Sequence, residues 1–141
     1  MVMQAAAKAG FAPYVGDGTA MTTAADVDAA ADMYLLAMEK GKAGSVYNCG
    51  TENDVRIRQI AEAIATALGV STKSVSSELA IELCGHFVAT FLQLENRASS
   101  ARAHQELGWA PKPKHKICDD IVLGSYKPLA EQLQADIKVA R

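Results

Sequence analysis

Tyr14-Val15-Gly16-Asp17-Gly18, followed by Asp26-Val27-Asp28, decides how this chain is read. Pro13 starts an extended segment, and Gly16-Asp17-Gly18 supplies a turn in which glycine can take the backbone conformations other residues avoid. Asp26 and Asp28 then open an alanine-rich stretch, where carboxylates favour the positive end of a helix dipole. Strand, tight turn, loop and helix are expected in that order between Pro13 and Lys40.

Working outward, Met1 to Ala9 has high helix propensity and stops at Gly10. The helix from Asp26 to Lys40 places Val27, Ala30, Ala31, Tyr34, Leu35 and Met38 on one face, read as its core side, and Gly41 closes it. Ser45 to Cys49, rich in β-formers between two glycines, predicts a short strand. A helix from Arg56 to Leu68 follows, with Asp54 as N-cap and Ile57, Ile60, Ala61, Ile64 and Leu68 as its core stripe. Val70 to Ser76 reads as a polar connection with at most a brief strand around Val75.

Ser77 is placed to cap a helix from Glu78 to Leu94. That helix is apolar on most of its circumference, which calls for cover on several sides, some of it from outside the chain. Ser99 or Ser100 caps a further helix ending at Leu107-Gly108. Trp109 should pack over its end, and Pro111 and Pro113 keep it from resuming. Ile117 to Gly124 and Lys127 to Val139 read as terminal helices. The expected fold class is α/β, mostly helical with two or three short strands, in a single unit over residues 1–141.

Bulk properties narrow the function classes. Half of the 141 residues are hydrophobic and 21% are charged, a globular balance. A net charge of −2 gives no electrostatic argument for nucleic acid or an anionic membrane. Cys49, Cys84 and Cys118 form no CxxC and leave one thiol over in any pairing, which points to reduced thiols and a cytoplasmic setting. Met1 to Ala12 lacks the basic start of an export signal. Leu79 to Leu94 is interrupted by Glu82, His86 and Gln93, as in a buried helix rather than a membrane span.

Three landmarks carry a family resemblance. The first is Tyr14 to Gly18 leading to Val27-Asp28 and Ala31-Asp32-Met33-Tyr34-Leu35-Leu36-Ala37. The second is Gly44-Ser45-Val46-Tyr47-Asn48 followed by Ile57 to Ile64. The third is Ser99-Ser100-Ala101-Arg102 with Glu106-Leu107-Gly108-Trp109-Ala110-Pro111. In this order they resemble the carboxy-terminal portion of extended, atypical short-chain dehydrogenase/reductases, the NAD-dependent epimerase/dehydratase-like proteins, over about residues 5 to 122.

The resemblance implies an amino-terminal Rossmann domain holding NAD(P) and a smaller carboxy-terminal domain over a small-molecule substrate. The first of these is not in the sequence. Gly16-Asp17-Gly18 continues as Thr19-Ala20-Met21 and opens no helix, so it fails as a dinucleotide fingerprint. The family's catalytic tyrosine is followed four residues later by lysine; after Tyr14, Tyr34, Tyr47 and Tyr126 those places hold Gly18, Met38, Thr51 and Ala130. No catalytic residue, no bound cofactor and no turnover are expected of this chain alone.

The substrate-side positions that the resemblance transfers are Gly16, Asp17, Gly18, Thr22, Asp28 and Asn48. Sugar-nucleotide members carry a phosphate-binding arginine where this chain has Thr22, which offers neither charge nor fork. Around it stand Ala20 and Met21, and the family's acidic pair is reduced to Asp26-Val27-Asp28-Ala29. Asp28 is open to two roles, orienting the substrate loop or only complementing the helix dipole. Asn48 either contacts ligand or only ties a turn.

Other clusters favour structure over chemistry. Cys84-Gly85-His86 offers two ligands on different helix faces, read as a core thiol and a partly buried histidine. His115 and Cys118 have no second pair, so no metal is expected. Lys112, Lys114, His115 and Lys116 read as a solvated loop. The leading expectation is a substrate-side fragment of an NAD(P)-dependent oxidoreductase, from a gene fragment or truncated paralogue. The runner-up is a non-catalytic interaction module from the same family. Either leaves the Val46–Cys49 strand edge for a second copy or a partner chain to cover.

Overall fold

The chain begins with helix α1 (Val2–Ala9), ended by Gly10 at φ 74°, and passes directly into strand β1 (Phe11–Val15). The computed structural model describes residues 1–139. After the glycine turn come β2 (Met21–Ala24) and α2 (Val27–Lys40), then β3 (Glu52–Arg56), α3 (Ile57–Leu68) and β4 (Ser71–Val75). Two short helices follow, α4 (Ser77–Cys84) and α5 (His86–Phe91). A π-helical turn at Ala103–Leu107 precedes α6 (Ile117–Leu123) and α7 (Lys127–Val139).

The architecture is α/β, with four short strands in two separate pairs among the described residues. β1 and β4 run parallel, Phe11 opposite Ser71 through Val15 opposite Val75. β2 and β3 run antiparallel, with Met21 opposite Arg56, and a bulge lies between Thr22 and Ala24. Thr22 also bridges to Asn96. The β1–β4 pair is covered on both faces, as a parallel pair must be. On one side lie α1, α3, α6 and α7 with Ala12, Ala61, Ile64, Leu68 and Ile121. On the other, Val75 packs with Ala80 and Ala89 of α4 and α5.

Helix α3 is the central beam, as its apolar period predicts. Ile57, Ala61, Ile64 and Leu68 are all at or below 4% exposed. Each fully buried Ile or Leu contributes about 1.5–3 kcal/mol. Its start differs from expectation: Asp54 lies in β3, Arg56 is the N-cap, and its N–H donates to Gln59 Oε1 at 2.9 Å. Residues 52–56 pair with β2, so the polar stretch before α3 is strand rather than loop. Main-chain pairing there overrides weak side-chain propensity.

Five further expectations are corrected. Ser45–Cys49 forms no strand, because no neighbouring strand offers it a ladder. The connection after α3 is a full strand, β4, recruited by β1. The helix expected over Glu78–Leu94 breaks at Gly85, whose φ 82° and ψ 159° leave helical space. Its cap is Ser76, with Oγ accepting from Leu79 N at 3.3 Å, and His86 is exposed rather than partly buried.

The largest correction concerns α2. Ala29 and Met33 are buried, whereas Val27, Tyr34, Leu35 and Met38 are 78%, 70%, 61% and 84% exposed. The small-residue side faces the protein, packed against Ala103, Leu107 and Trp109. The helix starts one residue later than expected, at Val27, and Asp26 is its N-cap rather than a first-turn residue, accepting from Ala29 N at 2.8 Å. Asp26→Ala should cost about 1 kcal/mol in urea unfolding. Asp28→Ala, which removes an exposed first-turn carboxylate, should cost about 0.3–1 kcal/mol.

Trp109 packs over the end of the π-helical turn, as predicted. It is 2% exposed, and its Nε1–H donates to Ala29 O at 2.9 Å. Ser99 Oγ accepts from Ala101 N at 3.3 Å, while Ser100 is buried and turned to Gly50 instead, accepting from its N–H and donating to its carbonyl. Among the described residues, no helix is long and apolar enough to cross a membrane.

Candidate functional site

The glycine turn sits at the carboxyl end of β1. Gly16 and Gly18 have φ of 59° and 67°. Gly18 N donates to Val15 O at 3.0 Å, and Arg58 N donates to Gly18 O at 3.0 Å, so the turn is stitched to the start of α3. Ser74 Oγ donates to Gly16 O at 2.6 Å from β4. Asp17 folds back on its own loop, accepting from Thr19 N at 3.0 Å and Thr19 Oγ1 at 2.8 Å. Those bonds, the backbone one first, hold its carboxyl below the ordinary value of 3.8.

The turn does not suit a dinucleotide. The space a Cβ would take at Gly18 is filled by Arg58 Cβ and the Tyr14 ring, 2.7 and 2.8 Å from that position. The missing side chain lets the protein pack on itself rather than admitting a pyrophosphate. Asp17, charged at neutral pH, would repel phosphate. The element that follows the turn is strand β2 rather than a helix, and the N–H at the start of α3 nearest the turn, Arg58 N, is already donated to Gly18 O. NAD(P) therefore does not fit the glycine turn.

The six candidate positions do not converge. Thr22 is 4% exposed in β2, between Val55 of β3 and Asn96, and its Oγ1 has no hydrogen-bond partner among the described residues. Asn48 Nδ2 donates to Ser99 O at 3.0 Å, which ties two loops. Asp28 lines a cleft of about 540 Å³ between the start of α2 and the α6–α7 corner. Gly16, Asp17, Gly18, Thr22 and Asn48 do not line it.

That cleft is also lined by Asp26, Glu52, Lys114, His115, Asp120, Ser125 and Tyr126. Most of its acids have structural tasks. Asp26 caps α2, and Glu52 Oε1 accepts from Ile117 N at 2.6 Å at the start of α6. Asp120 accepts from Ser125 N at 2.9 Å and from the Ser125 hydroxyl. Among the described residues, no group of three or more His, Cys, Asp or Glu is arranged to hold a metal. Glu52 carries no sequence signal for this grouping, since its contact with Ile117 spans 65 residues.

The Ser125 hydroxyl, then its N–H, holds the Asp120 carboxyl below its ordinary 3.8. A carboxyl depressed by folding contributes stability above the unfolded value, lost as pH falls through the lower folded value. Protection of the Ser125 amide from hydrogen exchange, corrected for the intrinsic rate, should therefore fall below pH 3.8. Asp120→Asn should remove that acid step.

No family model matches the chain. An uncharacterized protein of Schizosaccharomyces pombe is 36% identical over 127 residues, 89% of this chain and 42% of that protein. An uncharacterized protein of Saccharomyces cerevisiae is 34% identical over 112 residues, 79% of this chain and 37% of that one. The chain thus spans about two-fifths of the length of these relatives. Among solved structures, RMD from Pseudomonas aeruginosa complexed with NADPH matches 98% of this chain at 21% identity and a TM-score of 0.53. The chain shares its fold with part of that protein. It covers 42% of the RMD chain, so most of RMD has no counterpart here.

Proposed function

We propose that the chain is the substrate-side portion of an NAD(P)-dependent oxidoreductase of the extended short-chain, epimerase/dehydratase-like kind. The cofactor and the proton-transfer residues then belong to polypeptide outside it. One observation carries this reading: nearly the whole chain matches two-fifths of an NADPH-bound protein, while its own glycine turn is filled by Tyr14 and Arg58. Thr22, Asp28 and Asn48 would be scaffold of a substrate loop whose gripping residues are reduced. The substrate is a small molecule, and the three unpaired thiols suit a cytoplasmic setting.

A second reading is a non-catalytic interaction module, favoured by the large apolar side chains left exposed along α2. Titration of the 141-residue chain with NADPH, followed by nucleotide fluorescence, tests the cofactor assignment. No saturation is expected up to about 1 mM, a binding free energy weaker than about −4 kcal/mol. The full-length fission yeast relative should saturate. Saturable binding or NADPH oxidation by the chain alone would overturn the reading.

A further inference from the structure

Phe87 stands 81% exposed on α5, and Phe91, one turn further on, is exposed beside it. Leu94 continues the row in the turn after the helix, at the i, i+4, i+7 spacing of one helical face. The row is fixed outward. On the opposite side Val88 and Leu92 are buried against Ile57, Tyr14, Val15 and Ala20. Just past the row, Asn96 N donates to Met21 O at 2.8 Å, and Asn96 O accepts from Thr23 N at 2.8 Å.

These contacts set the apolar row beside the loop that leaves the glycine turn. Ala20 packs beneath α5, and Met21 N donates to Glu95 Oε2 at 2.9 Å. The charges here are wrong for phosphate. Asp17 and Glu95 place two carboxylates on the loop and its anchor. Arg58 Nε donates to Glu62 Oε1 at 3.0 Å, with its guanidinium over the Tyr14 ring, and Arg97 Nε donates to Asn53 O at 3.0 Å. Both forks are already turned to the protein. Thr22 is buried, so its hydroxyl offers a ligand nothing.

The size of the row also limits its occupant. Two phenylalanines on a six-residue helix, with one leucine after it, fall short of the roughly 800 Å² per partner of a stable protein interface. They suit a small molecule. Resting on the reading of the chain as the substrate-side portion of an oxidoreductase, we infer that this face selects an uncharged substrate bearing an aromatic ring. Phe87 and Phe91 take the ring in edge-to-face or offset contact, and Leu94 borders it. Apolar area here replaces the charge-assisted bonds that a sugar nucleotide needs.

The test titrates the 141-residue chain with 2-naphthol, uncharged at neutral pH, and follows labelled Phe and Leu side chains by NMR. Saturable shifts are expected at Phe87, Phe91 and Leu94, with a Kd of about 1 mM or below. UDP-glucose at the same concentrations should leave all three unmoved. Phe87→Ala should weaken naphthol binding about tenfold, the upper range for one aromatic pair. Leu94→Ser should weaken it independently. Both side chains are solvent-exposed, so neither substitution should move the urea midpoint.

No saturable shift, shifts confined to Tyr34, Leu35 and Met38 of α2, or binding indifferent to both substitutions would overturn the inference. So would saturation of this face by UDP-glucose, or Phe87 signals that move on dilution because a second copy covers them. NADPH binding by the full-length fission yeast relative reads the functional proposal separately. Naphthol held at α5 while that relative binds no NADPH would sink the oxidoreductase reading and leave the aromatic subsite. A relative that binds NADPH, with α5 of this chain blind to naphthol, would do the reverse.

Discussion

Replacing Trp109 by alanine should cost about 3–5 kcal/mol, the range for emptying a buried aromatic site. That is a large part of the 5–15 kcal/mol that holds an ordinary domain together. The indole is 2% exposed and closes the cluster formed by Ala29, Met33, Ala103 and Leu107. It stacks on His104 with ring centroids 5.2 Å apart, and its N–H reaches Ala29 O across 80 residues of sequence. Two of the four buried neighbours, Ala29 and Ala103, are alanines too short to collapse into the space left behind. The loss should therefore sit near the top of that range. Urea unfolding followed by circular dichroism measures it, because the substitution removes the chain's one tryptophan. Trp109→Phe separates the two contributions: most of the packing remains, and losing the N–H bond should cost about 1 kcal/mol. A Trp109→Ala protein within 1 kcal/mol of the wild type would contradict the packing role.

Trp109 was legible in the sequence because its evidence is local. A glycine ends a helix, a large aromatic follows, and two prolines forbid continuation. The same holds for α1, the α3 stripe and the two terminal helices. What failed depended on a distant partner. Glu52–Arg56 is polar and reads as a loop, but β2 recruits it into a ladder. Ser71–Val75 becomes a strand because β1 lies beside it. Val46–Cys49 has every β-forming residue it needs and is not a strand, because no edge is in reach.

Helix α2 shows the deeper limit. Periodicity finds an apolar face and says nothing about what covers it. Val27, Tyr34, Leu35 and Met38 are the larger side chains, so they read as core; the protein instead buries the alanine and Met33 side. Alanine admits the close approach of the π-helical turn, and the bulky face is left outward. The site was legible only in part. Gly16, Asp17, Gly18 and Asn48 are each tied into hydrogen bonds of their own loops, and whether candidate positions meet depends on contacts no linear pattern records. The cleft at Asp28 is completed by Glu52 and Asp120 instead.

Gly18→Ala should be the most damaging single methyl addition in the glycine turn, and Gly16→Ala its natural control. Both glycines have positive φ, 59° and 67°, so each alanine bears the left-handed backbone penalty of about 1–2 kcal/mol. Beyond that the two sites differ. At Gly16 a Cβ meets nothing within 4 Å. At Gly18 it meets Arg58 Cβ at 2.7 Å and Tyr14 Cδ2 at 2.8 Å, with the Arg58 backbone at 3.3 Å. Neither obstacle is a free side-chain tip. Arg58 Cβ is fixed to the first turn of α3, and the Tyr14 ring lies under the Arg58 guanidinium, 5.4 Å from its centroid. Relief requires α3 to move away from the turn, which strains the Arg58 N to Gly18 O bond and the packing of Ile57 behind it. Overpacking of this kind costs about 1–3 kcal/mol. Gly18→Ala should therefore lose about 2–5 kcal/mol in urea unfolding, against about 1–2 for Gly16→Ala. Equal losses at the two positions would mean that the close approach of α3 does not constrain the turn. A larger loss at Gly18 alone places the need for glycine in the protein's own packing, with no ligand required to explain it.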